Sequence, residues 1–252
     1  MKILAIDTST QSGGVAVMEK DFLLAKVFEE PEPAQQGIST AKGKAIHANE
    51  EFSSRLFRYV ASVLSETGLA LSDIDVFAVT AGPGSFTGLR VGLTAVKAWS
   101  EVYGKPIAAI SGLEAVAEQS LRASGLIVSF SDARRGQIFG GIFERTGDRL
   151  RVVGEGVVVN PREFIESVSA QSKALGNGGP VGFVSTAPEI LLDALSESSL
   201  RDSPVEKVSA DLAPWVGRLA FGRAQRGELV DALTLDANYV RRMDAELYWK
   251  DS

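Results

Sequence analysis

Near the N-terminus, short apolar runs alternate with polar breaks at the spacing expected of strands. Residues 2–6, KILAI, form an apolar run closed by Asp7, and the polar turn Thr8-Ser9-Thr10-Gln11-Ser12-Gly13-Gly14 follows. Residues 15–18 and 22–28 read as two further strands joined by a tight turn at Lys20-Asp21. Residues 29–44, with Pro31, Pro33, Gly37 and Gly43, read as a loop. The period then lengthens. Phe52, Leu56, Tyr59, Val60 and Val63 recur at helical spacing, after a predicted cap at Asn49 and with Gly68 as the stop. Glu50 and Glu51 favour the positive end of that helix.

A buried strand over 75–80 leads into the stretch Thr80-Ala81-Gly82-Pro83-Gly84-Ser85-Phe86-Thr87-Gly88-Leu89-Arg90-Val91-Gly92. Gly-Pro-Gly predicts a turn, Ser85 a cap, and Gly104 the stop of a helix running from Phe86 to Tyr103. Along that helix Gly88, Gly92, Ala95 and Trp99 form one stripe of small residues closed by a large ring. Each mid-helix glycine costs roughly 1 kcal/mol against alanine, so two of them predict a close approach to the helix backbone. The approaching group is either the rest of the same lobe or a partner helix, for which Trp99 is an aromatic anchor. A strand over 106–110 follows, then a helix to about residue 123 with Ser111 and Glu114 as a capping box.

From Leu126 the opening pattern returns. Residues 127–131 lead to Asp132-Ala133-Arg134-Arg135-Gly136, then to an apolar run over 138–143 and a third strand around 150–159. The echo predicts two related lobes facing each other across a cleft, each offering an Asp and a turn. Such a turn can cradle phosphate with backbone N–H groups and hydroxyls while its carboxylate holds a magnesium-bound water. The competing reading is a hydrogen-bonded hairpin whose Asp satisfies turn amides. Asp7, Thr8, Ser9, Asp132 and Arg134 are therefore the candidate cleft and nucleotide residues. Asn160 and Pro161 start another helix, 174–180 is a glycine-rich turn, 181–186 a strand and 189–195 a helix. The helix over 211–227 buries Leu212, Trp215, Val216, Leu219, Ala220 and Ala224. The first lobe is expected over 1–108, completed by 209–252, and the second over 109–208.

Composition narrows the chemistry. The 252 residues contain no cysteine, which excludes disulfides, thiol catalysis and thiolate metal sites, and one histidine, His47, which excludes a two-His zinc site. A net charge of −6 argues against a free-standing nucleic-acid binder. No apolar run reaches the roughly 18 residues of a membrane span, and residues 1–7 read as a strand rather than a signal peptide; a cytoplasmic protein is expected. Residues 82–90 lack the Gly-Lys-Ser/Thr ending of a P-loop. Pro83 and Thr87 stand where a nucleophile elbow around Ser85 needs glycine. Arg241 and Arg242 in the tail are able to bind phosphate or carboxylate groups.

Three segments together resemble the TsaB (YeaZ) family of tRNA threonylcarbamoyladenosine biosynthesis. They are Ile3-Leu4-Ala5-Ile6-Asp7-Thr8-Ser9, residues 82–92, and Asp132-Ala133-Arg134-Arg135-Gly136-Gln137-Ile138-Phe139. Tyr239-Val240-Arg241 is similar to the family's Tyr-Leu-Arg, whereas the loop over 29–44 and Ala237, where a proline is usual, depart from it. The resemblance implies the two-lobed actin/Hsp70/sugar-kinase fold, an α/β architecture with a mixed sheet and flanking helices in each lobe. It also implies a non-catalytic subunit that binds the larger, metal-binding TsaD enzyme. TsaD carries a His-x-x-x-His pair; here His47 is followed by Glu51, a poor transition-metal set.

The family's partner surface is formed by the two first-lobe helices, residues 47–64 and 86–103 here. This makes Phe52, Leu56, Tyr59, Val60, Gly88, Gly92, Ala95 and Trp99 the expected partner or dimer interface. The resemblance further implies a homodimer in isolation, a TsaE-type ATPase as second partner, and contact with tRNA only through the complex. It implies no intrinsic cofactor or metal, with ATP or ADP and magnesium confined to a junction with partner subunits. Two other classes compete: a nucleotide-dependent ATPase or phosphotransferase built on Asp7 and Asp132, and a peptidase pairing Ser85 with His47.

Overall fold

Strands form where apolar side chains can be buried on both faces, and β1 (Lys2–Asp7) and β4 (Val76–Gly82) are buried almost throughout. In the computed structural model, residues 1–10, 13–28, 52–147, 149–154, 156–174 and 181–236 are described. They divide into two compact units. The first takes in the described residues of Met1–Ala81, Ser85–Ile110 and Ala210–Asp236, and the second those of Gly82–Gly84 and Ser111–Ser209.

In the first unit β1 pairs antiparallel with β2 (Gly14–Glu19), β2 antiparallel with β3 (Phe22–Phe28), and β1 parallel with β4. With β5 (Ile107–Ser111) the order is β3-β2-β1-β4-β5. Strand alternation places the flanking helices. Val15 lines a pocket with Leu56 and Tyr59 of α1 (Phe52–Thr67). Val79 lies against Gly92 of α2 (Phe86–Tyr103), so α1 and α2 share one face. Ala5 and Met18 point the other way, where they meet Gly217 of the helix Ala213–Arg226. Ser85 caps α2 by accepting from Gly88 N–H, and Gly104 closes it in the left-handed conformation at φ 62°.

The second unit repeats the plan. Following α3 (Gly112–Glu118), β6 (Ser124–Arg134), β7 (Gln137–Thr146) and β8 (Arg149–Val152) run antiparallel. A short β9 (Val157–Val159) also pairs with β7. After α4 (Pro161–Ala174) come β10 (Gly182–Ser185), α5 (Glu189–Ser196) and β11 (Val205–Lys207), with β10 parallel to both β6 and β11. The order β11-β10-β6-β7-β8 is the first unit's order with each strand replaced by its counterpart. Two such mixed sheets with flanking helices constitute the actin/Hsp70/sugar-kinase fold. Phe130, Phe164 and Phe183 centre the second core, and the helix Ala213–Arg226, hereafter α6, belongs to the first unit.

Two elements differ from expectation. The helix after Ser111 ends at Glu118 because its next residues are held by distant partners. Gln119 exchanges two 3.1 Å hydrogen bonds with the Ser209 backbone, and Glu206 accepts from Ser120 Oγ and Leu121 N–H. The single strand expected over 150–159 is two, β8 and β9, separated by a stretch containing Gly154 and Gly156. The predicted features at 29–51, 175–180 and 237–252, among them His47, Glu51, Tyr239, Arg241 and Arg242, lie outside the described residues. No described helix is long and apolar enough to cross a membrane.

Candidate functional site

β1 ends at Asp7 because the chain turns there, and the carboxylate turns with it. Asp7 is 1% exposed. Its Oδ1 accepts from Ser9 N–H at 2.9 Å and from Ser9 Oγ at 2.6 Å, while Oδ2 is buried without a hydrogen-bond partner. Burial pushes its pKa up, the Ser9 and Thr80 hydroxyls and the Ser9 amide oppose this, and the charge of Asp211 adds to the rise. Asp211, just before α6, is itself buried and pairs with Lys26 of β3 at 2.9 Å. Thr8 is buried as well, and its hydroxyl donates to Gly88 O of α2 at 2.7 Å. A small pocket over this turn is lined by Asp7, Thr8, Gly13, Gly14, Val15, Arg55, Leu56 and Tyr59.

The arrangement is that of the hydrogen-bonded hairpin. Oδ1 of Asp7 is committed to Ser9, while Oδ2 is buried without a hydrogen-bond partner. Because Asp7 is held above its ordinary value of 3.8, the folded state binds more protons than the unfolded chain between the two pKa values. Stability therefore falls as pH rises through that window. Asp7→Asn, which keeps an acceptor for Ser9 and carries no charge, is expected to be more stable than wild type at neutral pH. The difference should shrink as pH falls toward 4 in urea denaturation (roughly the unfolded-state carboxylate pKa), and a constant difference across pH would refute this account of the site.

The second unit's echo of this turn differs in chemistry. Asp132 is 41% exposed, accepts from Arg134 N–H at 2.7 Å and pairs with the Arg134 guanidinium at 3.2 Å. Arg134 pairs with Gln137 across the hairpin, leaving only Arg135-Gly136 as the loop, both at positive φ. The long hydroxyl-rich turn after Asp7 thus has a two-residue counterpart with no cradle of its own.

The stripe on α2 also resolves differently from the partner-surface expectation. Gly88, Gly92, Ala95 and Trp99 are all buried, and a Cβ on Gly92 would overlap the Thr8 hydroxyl. The group that approaches the helix backbone is Thr8 of the same unit. Leu56, Tyr59 and Val60 are likewise buried, at 3–4% exposure. Phe52 opens α1, and its side chain lies outside what is described. The residues facing outward are others. On α2 they recur every fourth position as Phe86, Arg90, Thr94, Ala98 and Val102, with the Arg90 guanidinium 3.9 Å from the Phe86 ring centroid. On α1 Phe57 is 55% exposed and meets Trp99 edge-on at 6.3 Å. Phe57 stands off the buried stripe of α1, and an aromatic residue out of register on a helix's polar face was the available signal for it. Arg55 and Asp211 of the Asp7 neighbourhood had no local signal. Among the described residues no three His, Asp or Glu side chains gather into a metal-holding group, and Ser85 serves as the cap of α2.

Comparison with known proteins places this geometry in a family. The family model described as TsaD, tRNA N6-adenosine threonylcarbamoyltransferase, matches residues 44–202. The tRNA threonylcarbamoyladenosine biosynthesis protein TsaB of Bacillus subtilis is 28% identical over 252 residues, covering 100% of this chain and 99% of its own. The chain belongs to the TsaD family, on its TsaB (YeaZ) branch. A tRNA N6-adenosine threonylcarbamoyltransferase of Ehrlichia chaffeensis is 39% identical, but over 116 residues that cover 45% of this chain and 32% of the enzyme. The structure of YeaZ from Pseudomonas aeruginosa matches with a TM-score of 0.68 at 21% identity, covering 94% of this chain and 99% of that one. The fold is thus shared along the full length of a YeaZ protein, whereas the likeness to the transferase spans about a third of the enzyme.

Proposed function

We propose that this chain acts in tRNA threonylcarbamoyladenosine biosynthesis as a docking subunit for a TsaD-type transferase, and performs no transfer chemistry itself. The observation that carries this reading is the outward face of α1 and α2. Phe57 stands 55% exposed against Trp99, and Val102, at 73%, ends the outward row of α2. Exposed aromatic and aliphatic side chains on preformed helices suit a protein partner. The family match and the full-length likeness to a TsaB protein favour a TsaD homologue as that partner. Among the described residues Asp7 is buried and Asp132 stands beside a two-residue hairpin, which favours a supporting role over a catalytic one. Self-association through the same helices, a TsaE-type ATPase as a further partner and access to tRNA through the assembly belong to this proposal. Any adenine nucleotide and magnesium belong at a junction with partner subunits.

Phe57→Glu is the test. Placing a charge at an aromatic contact should weaken binding to the TsaD homologue at least tenfold, about 1.4 kcal/mol, in isothermal titration. Circular dichroism and denaturation midpoint should stay close to wild type, because the side chain is already half in solvent. Threonylcarbamoyl transfer to tRNA in the reconstituted system should fall with the affinity. Undiminished binding, or undiminished transfer when the chain is omitted, would overturn the reading.

A further inference from the structure

Thr8 sits where the turn after β1 meets the first turn of α2, and it does two things there. Its hydroxyl donates to Gly88 O at 2.7 Å, and the same oxygen fills the notch that the missing Cβ of Gly92 leaves. A helical carbonyl has two lone pairs, so Gly88 O can take this bond in addition to its place in the helix ladder. Next to it the Ser85 N–H donates to Ser9 O at 2.7 Å, and Ser85 caps Gly88 N–H in turn. The start of α2 is thereby fixed to the turn after β1 at two successive residues, 8 and 9. The outward row of α2 begins in that same turn, with Phe86 and Arg90 on either side of Gly88.

We infer that Thr8 is a positioning residue for the proposed docking face: its hydroxyl sets the placement of α2's first turn, and hence of Phe86 and Arg90, before a partner arrives. The inference rests on the docking reading above. A preformed face avoids the ordering cost that a loose one incurs on binding. Removing the hydroxyl therefore weakens association without removing any contact to the partner.

The experiment compares Thr8→Val, which keeps the shape and loses the donor, with Thr8→Ser, which keeps the donor. Ser185→Ala serves as control, since Ser185 is a buried serine of the second unit whose hydroxyl donates to Phe130 O at 2.8 Å. Affinity for the TsaD homologue is read by titration, and amide hydrogen exchange at Leu89 and Gly92 reports on the first turn of α2. Thr8→Val should bind roughly five- to tenfold more weakly, the size expected for one lost hydrogen bond, with faster exchange at those amides. Thr8→Ser should stay near wild type, and Ser185→Ala should lose stability but not affinity. Should Thr8→Val not fold, Thr8→Ala takes its place. Wild-type affinity in the donor-lacking variant, or equal losses in the Val and Ser variants, would overturn the role of the hydroxyl. If Phe57→Glu still loses binding in that case, the docking reading stands without Thr8. If Phe57→Glu also binds normally, both fall.

Discussion

Gly92→Leu is expected to yield no cooperatively folded monomer. A Cβ at this position overlaps the Thr8 hydroxyl and comes within 3.3 Å of Val79 Cγ2, and a leucine extends three further carbons in the same direction. Neither neighbour can retreat. Thr8 is held by Gly88 O, and Val79 lies in a strand whose seven residues are all buried. Overpacking a close-packed core typically costs 1–3 kcal/mol for added methylenes (about that range), and backbone-anchored neighbours put this site above it. Gly92→Ala is the graded version. Its gain in helix propensity, roughly 1 kcal/mol, opposes the clash, so a moderate net loss of stability is expected in urea denaturation. A Gly92→Leu protein with a wild-type denaturation midpoint would show that α2 is not seated on Thr8 as described.

The stripe alone leaves packing within the lobe and a partner helix both open; it is the family resemblance that turns it toward a partner. The two glycines correctly announced a close approach, but a glycine notch is filled equally well by a partner helix or by the chain's own hairpin. The deciding neighbour, Thr8, is 80 residues from Gly88. Elements whose causes are local were legible: Ser85 and Gly104 bound α2 as expected, Asn160 accepts from Glu163 N–H at 3.0 Å at the head of α4, and strand alternation set β1 to β3. Where the cause is remote, the reading slipped. α3 stops early because Ser209 and Glu206 hold the residues that would have continued it. The Asp7 and Asp132 segments look alike on paper, yet they differ in the length of turn that follows and so in burial, 1% for Asp7 against 41% for the Asp132 side chain. The interface residues that the resemblance implies on α1 and α2 are, where their side chains are described, buried within the unit, because apolar periodicity marks what a helix buries at home before it marks what it offers abroad.

Arg145→Ala is expected to be among the most destabilising single changes in the second unit. The guanidinium of Arg145 is buried with the Glu118 carboxylate at 3.1 Å, each side chain 9% exposed. The same Nη2 donates to Ala117 O and Glu118 O at 3.3 Å, carbonyls at the C-terminal end of α3. Truncation removes the cation and leaves a carboxylate buried near those carbonyls. Breaking a buried pair in this way costs about 3–5 kcal/mol. The double variant Arg145→Leu with Glu118→Leu separates the two contributions. If the ion pair were the whole effect, replacing both charges with apolar groups would restore most of the stability. Since Arg145 also donates to carbonyls at the end of α3, the double variant should recover only in part, and the shortfall should be of the order of one to two lost hydrogen bonds, ~1–3 kcal/mol. Chemical denaturation of wild type, Arg145→Leu, Glu118→Leu and the double variant closes the cycle. Full recovery in the double variant would assign Arg145 to the ion pair alone, and a loss below about 1 kcal/mol for Arg145→Ala, the value typical of exposed pairs, would show that the pair is open to solvent.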